Sequence, residues 1–176
     1  MNNISMTDYE TASAEVRAEY DDQIAKHGRI TNMKRTLLHN VPAFKAYMEW
    51  YTLQGELASF LSERAIAVFS HAISSENDCL ICSVFFRKML IDAGDDPDNL
   101  ILSDEEQLLV HFGQAIVKNP HVIAQQLSDA LAARYNEEQR VLLIAFAGIM
   151  VATNLFNTVA RVELDEVLYS YQKKAS

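Results

Sequence analysis

Apolar residues recur along this chain at three- and four-residue spacing, the mark of helices with one buried face. Val16, Tyr20 and Ile24 define the first such stretch, which stops at Gly28, and Thr7 with Glu10 three residues later reads as its capping box. A short periodic piece covers 32–40. Pro42 then suits the first turn of a helix carrying Phe44, Tyr47, Met48, Tyr51 and Leu53. Ser62 caps a helix over 65–73, and Asp78 caps another from Cys79 to about Ala93, closed by Gly94 and Pro97. These two predict a helical hairpin with cysteines at its turn. The loop 94-GDDPDNL-100 separates them from a helix with the capping box Ser103 and Glu106 and the periodic Leu108, Leu109, Phe112 and Ile116. Asn119 and Pro120 break that run, and Pro120 is expected to open the next helix. Asn136 leads into a long uncharged helix, and residues 164–174 are expected to close the chain as a helix with basic residues in its last turn.

Composition supports this pattern. Five glycines and three prolines in 176 residues are too few for a turn-rich sandwich or barrel. The expected fold class is therefore all-α, a single-domain bundle of about eight helices over 1–176, with 1–7 flexible. From Val141 to Ala160 no residue is charged, but the unbroken apolar run ends at Ala152. Twelve residues are too few to span a bilayer and fit a central buried helix. A net charge of −9 offers no footprint for nucleic acid or an anionic membrane surface. Two cysteines make no secreted disulfide framework, and Met1 to Thr7 show no leader pattern, so a cytoplasmic protein is expected.

The candidate chemistry lies in Cys79-Leu80-Ile81-Cys82. Residues at i and i+3 share a helix face, so the two sulfurs can exchange thiols for a disulfide, and a helix N-terminus favours the thiolate. Glu76 and Asp78 oppose that charge, and Arg87 and Lys88 stand too far along the helix to support it. His71, on the preceding helix, is a candidate proton acceptor. Two buried structural cysteines remain an open alternative. Zinc needs two further ligands, which the sequence does not place, and there is no phosphate loop or nucleophile elbow, so no metal or cofactor is expected. Glu56 and Glu63 fit solvated helix faces, and the aromatic stripe from Phe44 to Tyr51, including Trp50, fits packing.

In this order, 78-DCLIC-82, 103-SDEEQ-107 and 154-NLFN-157 resemble the carboxymuconolactone decarboxylase and alkylhydroperoxidase D-like family, and 30-ITNMKRTLLHNVPAFKAY-47 is similar to its lead-in helices. The resemblance runs from about Asp8 to Leu168. It implies an all-α fold, a homo-oligomer (trimer or hexamer), and a thiol-dependent peroxidase or disulfide reductase acting on a peroxide or small disulfide with a thiol reductant. Cys82 would attack the peroxide and Cys79 would resolve the sulfenic acid. The family pattern also carries a glutamate about twelve residues before the first cysteine and a histidine four after the second; here Ala67 and Phe86 stand there. Neither moves a proton, which leaves Glu63 or His71 as substitutes. A non-enzymatic redox-sensing or structural oligomeric module, and a decarboxylase, are the alternatives that the resemblance leaves.

Overall fold

The computed structural model describes residues 3–173. Among them are eight α-helices: α1 (Ala14–His27), α2 (Asn32–Leu37), α3 (Val41–Leu57), α4 (Glu63–Glu76), α5 (Leu80–Asp92), α6 (Asp104–Lys118), α7 (Gln125–Arg134) and α8 (Glu137–Ala160). A 3-10 helix, Glu166–Tyr171, follows. The all-α bundle expected from the sequence is the fold observed.

Several helices start where their caps predict. Ser62, Ser103 and Asn136 each accept a backbone N–H with the side-chain oxygen, and the last two complete capping boxes with Glu106 and Gln139. Gly28 ends α1 in the left-handed conformation, which only glycine adopts without strain.

Other boundaries differ. Thr7 and Glu10 form no capping box: the Thr7 hydroxyl donates to Arg35 C=O and meets the Tyr20 hydroxyl, and α1 begins at Ala14 behind Ser13. Within the stretch 1–7, Ile4 N–H reaches Ala160 C=O and Thr7 N–H reaches Arg35 C=O; residues 1–2 lie outside the described residues. Pro120 sits in a turn, and α7 starts at Gln125 without a side-chain cap. The C-terminal stretch forms the 3-10 helix, and Lys174 lies outside the described residues.

Helix α4 is the centre of the bundle, with α5, α6 and α8 around it. Its fully buried Phe69 stacks between Phe112 of α6 and Phe146 of α8, at ring separations of 6.2 and 6.1 Å. Helix α6 approaches closely because Gly113 has no side chain: a Cβ there would stand 2.9 Å from Ile73 Cγ1. A second cluster, Tyr20, Leu37, Leu38, Val41 and Phe44, joins α1, α2 and α3. Arg64 of α4 holds the 94–103 loop by bonding Asp95, Glu106 and the Ile101 carbonyl.

Helix α8 contributes to the core with one face. Leu143, Phe146, Ala147, Met150, Asn154 and Asn157 are buried on one face, while Val141, Ile144, Leu155 and Val159 are exposed. By length and composition α8 is apolar enough to cross a membrane, with a third of its most apolar window buried in the bundle.

Candidate active site

The hairpin between α4 and α5 places the cysteine pair. Asp78, expected to cap α5, instead takes the left-handed conformation at φ 50°, turning the chain so that Cys79 is the N-cap. Cys79 N–H donates to Ser74 C=O at 3.1 Å, and Cys79 Sγ accepts the Cys82 N–H at 3.4 Å. The two free sulfurs lie 2.7 Å apart, within side-chain rotation of a bond of about 2.05 Å.

Their environments push the two thiols in opposite directions. Cys79 is held below the usual thiol range by the Cys82 side chain first, against the opposing effect of burial, with the Cys82 N–H adding to the lowering. Cys82 is pushed far up by its hydrogen bond to Cys79, by burial and by the neighbouring charge. Either sulfur can hold the proton, and the N–H at the start of α5 favours charge on Cys79. Asn157 of α8 donates from Nδ2 to Cys82 Sγ at 3.2 Å and to Met33 Sδ at 3.4 Å, while its Oδ1 is buried and unpartnered among the described residues.

Cys82, and not Cys79, lines a cavity of about 100 Å³ between α2, α3, α5 and α8. Trp50, Phe85, Phe86 and Met150 give it an apolar wall, with Trp50 Nε1 donating to Met150 Sδ at 2.9 Å. The aromatic stripe of α3, expected to serve packing, thus also walls the cavity beside the thiol. Besides Cys82 and Asn157, the side chains of Thr31, Lys34, Tyr47, Tyr51, Thr153 and Asp165 bring polar groups to the cavity lining. Burial, aided by the Arg29 charge, brings Lys34 down to about 8, and burial raises both Tyr51 and Asp165.

The proton-moving substitutes considered from sequence are not brought to this cavity. Glu63 is exposed in the first turn of α4, about 20 Å along the helix from its cysteine end. His71 is half-buried beside Ser75, with its basicity lowered by burial and by Arg87. Ala67 packs in a small cluster with Val68 and Leu90, and Phe86 stands in the cavity wall near Trp50. Arg87 and Lys88 pair with Asp98 and Asp92, away from the sulfurs. Among the described residues no group of three or more His, Cys, Asp or Glu could hold a metal ion.

Sequence reasoning missed Lys34, Tyr51 and Asn157 as site residues. A signal existed for Asn157: with Asn154 it stands on the same helix face as Met150 and Ala147, a polar pair where the pattern demands apolar residues. For Lys34 there was none, because a lysine in a six-residue helix ordinarily faces water.

No protein-family model matches the chain, and neither does any curated protein. Solved structures do match. An uncharacterized peroxidase-related protein from Silicibacter sp. TM1040 superposes with a TM-score of 0.77 at 16% identity, covering 97% of each chain. The debrominase Bmp8 gives 0.74 at 16% identity over 96% of this chain and 95% of its own, and a cysteine-to-alanine variant of it in complex with 2,3,4-tribromopyrrole gives 0.75. An alkylhydroperoxidase D-core, peroxidase-related protein from Ralstonia eutropha JMP134 gives 0.72 at 16% identity over 96% of each chain. At these identities the likeness is one of fold: the chain has the alkylhydroperoxidase D-like fold.

Proposed function

We propose that the protein is a thiol-dependent oxidoreductase that reduces a small peroxide with the Cys79 and Cys82 pair. The observation that carries this reading is the paired sulfurs at the start of α5 with only Cys82 facing the cavity. No Glu or His relay is needed if Cys79 serves as the base. The proton that rests on Cys82 passes to Cys79, against their resting proton affinities, as the peroxide binds, and the Cys82 thiolate attacks the distal peroxide oxygen, breaking the O–O bond. The leaving alkoxide takes the proton from Cys79 and departs as the alcohol. Cys79 thiolate then attacks the Cys82 sulfenic acid and expels hydroxide, which water or buffer protonates. An external dithiol reduces the disulfide and restores the pair.

A second reading draws on the likeness to the debrominase and on the aromatic wall of the cavity. The same two electrons would replace a carbon–halogen bond by carbon–hydrogen, with the pair oxidised to the disulfide and hydrogen halide released. Fully reduced protein with excess dithiol, offered an alkyl hydroperoxide or a bromopyrrole, tests both. Many turnovers of peroxide support the first reading; bromide release without peroxide turnover selects the second. One oxidation without turnover leaves a redox sensor, and no oxidation leaves a structural module.

The exposed apolar side of α8 supports a homo-oligomer, trimer or hexamer, in which Val141, Ile144, Leu155 and Val159 are covered by other copies. Leu155→Glu is expected to convert it to monomer in size-exclusion chromatography with light scattering. A wild type already monomeric at tens of micromolar would remove this part of the proposal.

A further inference from the structure

Lys34 is only 3% exposed, yet its ammonium meets neutral groups alone. It donates to Gln23 Oε1 at 2.5 Å and to the Tyr51 hydroxyl at 2.9 Å, and lies 4.8 Å from the centre of the Tyr51 ring. Two of its three N–H bonds are thereby used. Among the described residues no carboxylate bonds to it. Asp165, which lines the same cavity, accepts the Asn32 N–H through Oδ1, and the cations acting on it are Arg29 and Arg35. Taking a charge out of water without a counter-ion opposes folding, and a fold retains such a charge most readily where a ligand supplies the missing partner.

The rest of the cavity defines that ligand. Its walls are the apolar faces of Trp50, Phe86 and Met150, with Cys82 among them. A volume of about 100 Å³ is smaller than the roughly 150 Å³ that encloses benzene, so a ring or alkyl body of that bulk is held in part and projects through the mouth.

We propose that this cavity binds a small apolar acid, its single anionic group received by Lys34 and Tyr51 and its body held between Trp50, Phe86 and Met150 beside Cys82. The inference rests on the thiol reading above for what the bound molecule undergoes, since it makes the substrate an acid-bearing hydroperoxide or halide; recognition of the acid does not require it. Burial leaves Lys34 charged at neutral pH, as such a role needs. An anion there forms charge-assisted hydrogen bonds in a site shielded from water.

Trp50 is the single tryptophan of the chain and lines the cavity, so its fluorescence reports occupancy. Reduced protein is titrated at pH 7 with benzoate and with benzamide, its neutral counterpart. Benzoate is expected to bind at least about tenfold more tightly, with the preference lost in Lys34→Met and reduced in Tyr51→Phe. Equal affinities, absence of binding by either probe, or a preference that survives in folded Lys34→Met would overturn the proposal. If Lys34→Met does not fold, Tyr51→Phe decides, and an unchanged ratio of affinities rejects the site. A Cys79→Ser, Cys82→Ser double variant keeps binding separate from chemistry. Preference for benzoate in a protein that turns over no substrate upholds the acid site and removes the redox reading; turnover without that preference does the reverse.

Discussion

Replacing Cys82 by serine should lower peroxide turnover by at least about a thousandfold, because it removes the one thiol that lines the cavity. Cys79→Ser should behave differently. That variant keeps the attacking sulfur but loses both the proton acceptor and the resolving thiol, so it should oxidise slowly, once per chain, and stop at the Cys82 sulfenic acid. Mass spectrometry after dimedone labelling distinguishes the two: label on Cys82 in Cys79→Ser, and no turnover in Cys82→Ser with added dithiol. Activity that survives Cys82→Ser while Cys79→Ser is dead would move the attack to Cys79. The opposed proton affinities make this a sharp test, since the more acidic thiol is not the one facing the cavity.

The second large effect is on stability and comes from Lys34. In the folded protein its proton leaves near pH 8, whereas an exposed lysine holds its proton to about 10.4. Between those values the unfolded chain binds the proton and the folded one does not, so stability must rise with pH. The gain attributable to this group should be on the order of 3 kcal/mol, complete by about pH 10.5 and absent below pH 7. Tyrosines and cysteines of the unfolded chain also titrate in this window, so the quantity to measure is the difference between wild type and Lys34→Met in urea unfolding at pH 7 and pH 10. Met fits the apolar surroundings but leaves Gln23 Oε1, itself buried, without its donor, which offsets part of the relief at neutral pH. A wild type whose stability relative to Lys34→Met stays constant across the window would show that Lys34 is solvated in the native protein.

The hairpin of α4 and α5, the capping box at Ser103, the start of α8 at Asn136 and the cysteine spacing were all legible in the sequence, because each depends on residues within a turn of one another. Thr7 and Glu10 satisfy the same local rule and fail it. The Thr7 hydroxyl finds partners 13 and 28 residues away, and tertiary bonds outweigh a cap of about 1 kcal/mol. Asp78 was the better cap by propensity, but the left-handed turn it makes hands that place to Cys79. The cavity was the least legible feature. It is assembled from short segments of four helices, and no local pattern says that Lys34 of α2 and Asn157 of α8 meet around Cys82.

One consequence follows from a sulfur standing where a hydroxyl usually caps a helix. In the reduced protein Cys79 Sγ accepts the Cys82 N–H as an electron-rich thiolate or thiol; in the disulfide the same atom carries no charge and accepts poorly. Oxidation therefore loosens the very turn that bears the reacting pair. Amide hydrogen exchange at the first residues of α5 would then run faster in the oxidised protein, while α4 and α6 keep their protection. The catalytic cycle would be readable as a periodic fraying of one helix end, which also gives a bulky reductant access to sulfurs that are buried at rest.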